Sequence, residues 1–193
     1  GKILTNHQVV SIKQTNNSIS SIVVSHNGVK NNIECDGIIN AAGPWSGKVA
    51  KLINQNVELQ LTRGCGIFFK GKLVSQAINR YRVPNNNDIM CPSGKESLWG
   101  TTSEVVLDPD TPKTRPDEIK ELLQGAEEIF PNIRNYKSFR MWSGVRPLVR
   151  PKNINKNLPL PRSHLVFRRS LSLTICLAQP NHLPARAQDS RPV

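Results

Sequence analysis

The sequence is short of aromatic rings, short of acids, and has no long apolar run. Phe, Trp and Tyr make up 5% of the 193 residues, whereas a nucleic-acid platform stacks successive bases on several rings. No run of eighteen apolar residues occurs, which argues against a membrane-spanning helix. Cysteine is scarce: Cys35, Cys65, Cys91 and Cys176 form no Cys-x-x-Cys pair and do not cluster with His7, His26, His164 or His182. No metal site is therefore expected, and isolated thiols in mostly apolar strings fit a reducing compartment. There is no internal repeat and no signal-peptide pattern, and the chain starts at Gly1 without Met. That start leads us to expect a fragment or a processed chain. The length suits one domain or two small ones.

Positive charge is what the chain has in excess. Lys and Arg number 26 against 14 acids, a formal charge of +12. From Lys152 onward seven basic residues face one acid, so half of the excess lies in the last 42 residues. The one basic-aromatic cluster is Arg80-Tyr81-Arg82. A solvated basic face, or attraction of an anionic substrate, accounts for this pattern better than nucleic acid, which is not expected as a partner.

Residues 2–12 and Ile19–Val24 read as strands joined by the turn Thr15–Ser18. Asn27-Gly28 is a hairpin signal leading into Val29–Cys35. Asp36–Ala42 is a short apolar run, expected to be a strand buried on both faces as in a parallel sheet. Gly43-Pro44 ends it and opens a helix with Trp45, Val49 and Leu52 on one face. From Val57 the texture changes to short strand-like pieces, Leu59–Leu61, Gly66–Phe69, Ile78–Tyr81, Asp88–Cys91 and Ser97–Thr102, which suggest antiparallel sheet. Pro84–Asp88 reads as a loop. Pro116–Phe130 is the clearest helix, with Ile119, Leu122, Leu123, Ala126 and Ile129 on one stripe and Thr114 and Asp117 as a capping pair. Lys137–Trp142 is a strand followed by a corner at Gly144–Pro147. Lys152–Pro161 reads as a loop, Leu171–Leu177 as a strand, and Gln179–Val193 as disordered.

Three strings in fixed order carry the functional signal: Ile39-Asn40-Ala41-Ala42-Gly43-Pro44-Trp45, Leu98-Trp99-Gly100-Thr101-Thr102 and Trp142-Ser143-Gly144-Val145-Arg146-Pro147-Leu148. With Ile78-Asn79-Arg80 and Asp88-Ile89-Met90-Cys91-Pro92 between them, they resemble the FAD-dependent glycerol-3-phosphate dehydrogenases over roughly residues 1–150. The resemblance is greatest to the catalytic subunit of the anaerobic type, within the flavoprotein group of the D-amino-acid oxidases. It implies an α/β (α+β) fold: a partial FAD-binding domain of Rossmann type interleaved with an antiparallel-sheet substrate domain. On that scheme 1–56 belongs to the FAD-binding domain, 57–141 to the substrate domain, 142–177 to the return, and 178–193 to a disordered or frame-altered tail.

The implied activity is oxidation of sn-glycerol 3-phosphate to dihydroxyacetone phosphate by hydride transfer from C2 to FAD, with electrons passed to quinone. The implied partners are a small phosphorylated substrate and membrane-anchoring or electron-transfer subunits. The implied place is the cytoplasm, at the inner face of the cell membrane. The resemblance assigns Val9, Ala42 and Gly43 to FAD and Arg146 to substrate. Gly43 suits close backbone approach because it lacks Cβ, and a guanidinium fork suits phosphate. Gly43 and Arg146 are expected to converge on one isoalloxazine-sized cleft. Thr101 and Thr102 are read as structural, Arg63 as a residue that could face the flavin pocket. No catalytic base is assigned.

Each role has a plainer alternative. Val9 is then core, Gly43 serves only the turn, and Arg146 pairs with a structural carboxylate. At the level of function, the alternatives are another FAD-dependent oxidase of the same group acting on a 2-hydroxy acid or amine, and a basic binding module without chemistry. Gly-x-Gly-x-x-Gly, the pyrophosphate loop of the family, occurs nowhere in the sequence. The family's Gly-Gly-Lys-Leu-Thr-Thr-Tyr-Arg string is also missing after Thr174-Ile175-Cys176, where Asn181–Pro184 matches a reading one base out of frame. The chain by itself is accordingly expected to be inactive and not to hold FAD tightly. A parallel strand without its neighbours is also expected to leave a sticky edge.

Overall fold

The computed structural model describes residues 1–82, 87–110, 113–149, 165–168 and 173–177. The expected loop at Lys152–Pro161 and the tail from residue 178, with its frame-altered segment, lie outside them. So does most of the expected loop at Pro84–Asp88. The chain divides into two units, Gly1–Gln60 with Pro147–Val193, and Leu61–Arg146. The arrangement is a sheet-dominated α/β one.

In the first unit β1 (Gln8–Thr15), β2 (Ser18–His26) and β3 (Val29–Glu34) form an antiparallel meander. Both turns take positive φ at both central residues, Asn16 (52°) and Asn17 (61°), then Asn27 (49°) and Gly28 (82°). This twist matches that of the flanking strands, which is why Asn and Gly occupy these positions. The first strand begins at Gln8 rather than at residue 2, since Ile3 stands exposed with no second apolar residue to share a face.

Next comes β4 (Ile38–Asn40), which runs parallel to β12 (Leu173–Leu177). That strand in turn pairs antiparallel with β11 (Leu165–Arg168), which the sequence reading missed. β4 lies at one edge of this sheet among the described residues. The expectation of burial on both faces fails: Asn40 is buried, but Ile39 is 72% exposed. Helix α1 (Ser46–Lys51) follows a 3₁₀ turn over Gly43–Trp45. Its buried face is Ser46, Ala50 and, just beyond, Ile53, whereas Trp45 and Leu52 of the expected stripe are exposed. Ala50 and Ile53 pack with Ile12, Ile19, Val57, Leu173 and Ile175 in one apolar cluster. Full burial of one such Leu or Ile side chain contributes about 1.5–3 kcal/mol.

The second unit is built on a six-stranded sheet. Its strands are β5 (Leu59–Lys70), β6 (Ile78–Asn79), β7 (Ile89–Ser93), β8 (Glu96–Gly100), β9 (Glu104–Val106) and β10 (Ser138–Val149). The order is β10-β5-β8-β7-β6, with β9 also on β5. The expected pieces Leu59–Leu61 and Gly66–Phe69 are one strand, running unbroken through Arg63-Gly64-Cys65-Gly66. The expected corner at Gly144–Pro147 is also absent, because β10 continues through it. Strand β10 is at the sheet edge, where a proline's missing N–H costs no ladder bond.

Helix α2 (Pro116–Glu127) packs on this sheet, and its apolar stripe is as the sequence indicates: Leu122 and Ala126 are fully buried, with Ile119, Leu123 and Ile129 beside them. Its cap differs from the expected Thr114–Asp117 pair, since the Arg115 backbone N–H donates to Glu118 Oε2 at 3.1 Å. Cys65, Ile67 and Phe69 meet Met90, Trp99, Leu122 and Ile133 in the core. Trp99 Nε1–H donates to the Leu122 carbonyl at 2.8 Å, so the large indole carries its polar atom to a helix acceptor.

Candidate functional site

Side chains of β5 alternate between two faces. Arg63, Cys65, Ile67 and Phe69 share one, and Gly64, Gly66 and Phe68 the other. On the second face two arginines of β10 lie against β5. The Arg140 guanidinium sits 3.9 Å above the Phe68 ring. Arg146 presses the Nη end of its guanidinium against Gly64: a Cβ on Gly64 would stand 2.7 Å from Arg146 Cζ and closer still to both Nη atoms. Gly64 is thus the clearance that lets a guanidinium rest on a strand backbone. Arg146 donates to Thr101 Oγ1 at 2.9 Å and to the Thr102 carbonyl at 3.4 Å. Both acceptors come from the segment just after β8, beyond the cis peptide Gly100–Thr101.

The opposite face holds a buried polar chain. Thr102 Oγ1 accepts from the Cys65 backbone N–H at 3.0 Å and donates to Glu118 Oε1 at 3.2 Å. Glu118 in turn pairs with Arg63 at 2.8 Å. Arg63 and Glu118 are each 4% exposed. Arg63 also donates to Glu104 and to the Lys113 carbonyl. Burial pulls the Arg63 pKa down, and the bonds to Glu104 and Glu118 more than reverse this, leaving it raised. Burial likewise pushes the Cys65 thiol up, against a lowering bond from Thr102. Arg63 therefore does not serve as the flavin-facing residue considered from the sequence. It is spent on carboxylates on the helix side of the sheet. Glu118 is the residue the sequence reading missed, since a Glu in the first turn of a helix ordinarily signals only a cap.

In the first unit Asn40 Nδ2 donates to the Ser46 carbonyl at 2.9 Å, and the Ala42 backbone N–H donates to Asn40 Oδ1 at 3.2 Å. One buried amide thus ties the end of β4 to the start of α1. Gly43 has φ +54°, and no atom lies within 4 Å of where its Cβ would stand. The turn needs glycine for its backbone, and the space beside it is open. Val9 packs against the apolar cluster of this unit. The arginines of the basic-aromatic cluster are engaged by acids: Arg80 pairs with Glu128, Arg82 with Asp88. The described cysteines are free thiols, and among the described residues no group of three metal-ligating side chains occurs. Nor is any helix among them long and apolar enough to cross a membrane.

The first unit thus offers a strand-to-helix corner with a bare glycine, and the second an arginine held against its sheet. The profile of the FAD dependent oxidoreductase (DAO) family matches residues 1–169, and the chain belongs to that family. It is 26% identical over 161 residues to an anaerobic glycerol-3-phosphate dehydrogenase component of Haloferax volcanii, covering 78% of this chain and 28% of that protein. It is 28% identical over 151 residues to the corresponding component of the Escherichia coli K12 enzyme, covering 76% and 28%. Among solved structures, the glycerol-3-phosphate dehydrogenase of Bacillus halodurans complexed with FAD superposes with TM-score 0.70 at 18% identity, over 89% of this chain and 34% of that one. The chain thus spans little more than a quarter of the length of these curated relatives.

FAD is the cofactor of the family. The residues present fit part of it. The Ala42–Gly43 backbone and the open space at Gly43 suit close approach of a flat or chain-like ligand. The buried Ser46 Oγ next to this corner has no hydrogen-bond partner among the described residues. A glycine-rich pyrophosphate loop is not in the sequence.

Proposed function

We propose that this chain is part of a flavoprotein that oxidises sn-glycerol 3-phosphate to dihydroxyacetone phosphate. The observation that carries this reading is Arg146, set end-on against Gly64 and held by Thr101 and Thr102. A guanidinium fixed in this way presents a charge-assisted fork for a phosphate ester, with little ordering left to be lost on binding. Similarity to components of glycerol-3-phosphate dehydrogenases supports the choice of ester. Arg146 binds the phosphate and so orients the substrate carbon bearing the hydroxyl. Val9, Ala42 and Gly43 hold FAD, which supplies the two-electron acceptor when bound. The enclosing unit serves the cofactor and the inserted unit the substrate. The relatives are named as subunits of an anaerobic enzyme, which supports partner subunits; on this reading those partners carry the electrons to quinone at the inner face of the membrane.

The test uses the complete gene product. It is expected to purify with a flavin absorption band and to reduce a dye with glycerol 3-phosphate, but not with glycine or 2-hydroxy acids. Arg146→Ala should raise KM for glycerol 3-phosphate by at least about tenfold, the loss of roughly one charge-assisted interaction. Preference for an amine or a 2-hydroxy acid would move the protein to another oxidase of the family. Salt-sensitive RNA binding without flavin would favour a basic binding module instead.

A further inference from the structure

We infer that Thr102 and Glu118, on the helix side of the sheet, are positioning residues for the Arg146 guanidinium on the other side. This rests on the reading of Arg146 as the phosphate-binding group. The Thr101–Thr102 segment straddles the sheet. Thr101 Oγ1 and the Thr102 carbonyl face Arg146, while the Thr102 side chain turns the other way. Arg146 is thus held by a short piece of chain, and its aim depends on what fixes that piece.

Among the described residues the fixing groups lie on the buried side, beginning with the Asn87 N–H, which donates to the Thr101 carbonyl at 3.4 Å. Hydrogen bonds run both ways between Cys65 and Thr102: the Thr102 N–H donates to the Cys65 carbonyl at 3.1 Å, and the Cys65 N–H donates to Thr102 Oγ1 at 3.0 Å. A hydroxyl has one proton. Here it goes to Glu118 Oε1, which leaves the hydroxyl lone pairs for the Cys65 N–H and for the Cys65 thiol, whose Sγ lies 3.2 Å away. Arg63 and the Arg115 N–H hold the Glu118 carboxylate in turn. Thr102 is 3% exposed, so water is poorly placed to replace a lost partner. Cys65 lies next to Gly64, the residue on which Arg146 rests. The same hydroxyl therefore sets both the acceptors of Arg146 and the backbone beneath it. A carboxylate on α2, on the far face of the sheet from Arg146, tunes affinity for the anion without touching it.

The test uses Thr102→Val, which keeps the shape and removes the hydroxyl, and Thr102→Ser, which restores it, in the complete gene product. One readout is KM and kcat for glycerol 3-phosphate; the other is calorimetric titration of the flavin-free protein with inorganic phosphate. Thr102→Val should raise KM and weaken phosphate binding about tenfold, change kcat less than about threefold, and add nothing in an Arg146→Ala background. Thr102→Ser should recover most of the loss. Should Thr102→Val fail to fold, Glu118→Gln carries the test, with weakening in the same direction. If Arg146→Ala weakens phosphate binding but the Thr102 and Glu118 variants lower only melting temperature, the positioning role is wrong and the reading of Arg146 stands. If Arg146→Ala itself leaves phosphate binding unchanged, that reading falls, and this inference with it.

Discussion

Gly64 and Gly66 are two residues apart on one face of β5, yet adding a methyl group to each should have opposite consequences. At Gly66 a Cβ would stand 2.9 Å from the Trp99 carbonyl oxygen and 2.9 Å from Leu98 Cδ1, while ordinary contact begins near 3.4 Å. The carbonyl belongs to the neighbouring strand, where Gly66 is directly paired with Gly100, so relief requires β5 and β8 to part. Overpacking of this kind costs about 1–3 kcal/mol, offset by about 0.4–1 kcal/mol from restricting the unfolded chain. A net loss of about 1–2 kcal/mol corresponds to a fall in melting temperature of roughly 5–10 °C for a unit of this size.

At Gly64 the obstacle is only the end of the flexible Arg146 side chain. The guanidinium must retreat by more than the 0.7 Å that separates the 2.7 Å approach of Cζ from the 3.4 Å limit, because Nη1 and Nη2 stand closer still. Gly64→Ala should therefore cost less stability than Gly66→Ala, about 1 kcal/mol or less, from the weakened bond to Thr101. It should, however, pull Arg146 off its 2.9 Å bond to Thr101. At about 1.5–3 kcal/mol for a charged hydrogen bond, that predicts at least about a tenfold loss in affinity for a phosphate ester. Thermal melts and phosphate titrations of both variants decide the matter. Equal loss of melting temperature in the two, or unaltered phosphate binding in Gly64→Ala, would refute the idea that glycine here is clearance for the arginine.

Other perturbations are as specific. Gly43→Ala places a Cβ at φ +54° and should cost about 1–2 kcal/mol by denaturant titration, with Gly43→Asn costing less. Bonds from Arg115, then Arg63, hold the Glu104 carboxyl below its ordinary value of 4.5, and a bond from Arg134 does the same for Glu127. Groups depressed in the folded state stabilise it fully above pH 4.5, and that contribution is lost as pH falls below this value. Melting temperature should accordingly drop on acidification below pH 4.5, and less steeply in Glu104→Gln. Burial raises the Cys65 and Cys91 thiols. Alkylation at pH 8 followed by peptide mapping should find Cys65, which is fully buried, modified last, and labelling of Cys65 as fast as Cys176 would contradict this.

Local chemistry explains what was legible in the sequence. Asn16-Asn17 and Asn27-Gly28 announced their turns because few residues tolerate positive φ, and α2 announced itself by its stripe. The unbroken β5 was hidden because Arg63-Gly64-Cys65-Gly66 contains residues that weaken an isolated strand. Their presence makes sense only once Arg146, Trp99 and Glu118 are seen against them. The run through Gly144–Pro147 was hidden for a related reason: proline is admissible there only because β10 is an edge. The short helix α1 misled because Trp45 and Leu52 are large, and size outweighed the small Ser46 and Ala50 that are buried. Of the candidate site, the strings holding Arg146 and Thr101-Thr102 stood out in the sequence, the threonines as structural residues. Their contact with each other and with Glu118 was not legible, because the three segments have no pattern linking them.

The parallel pairing of β4 with β12 also bears on how the protein is born. Leu173 and Ile175 complete the cluster that holds Ile12, Ile19, Ala50 and Ile53, so Ala50 and Ile53 wait for ~120 more residues of synthesis before their packing can close. At 5–20 residues per second the interval between Ile53 and Leu173 is roughly 6–24 s. The intervening segment Leu61–Arg146 is contiguous and has its own core, so it can settle while the β1–β3 meander is still half-covered, and chaperones have most to protect in that interval.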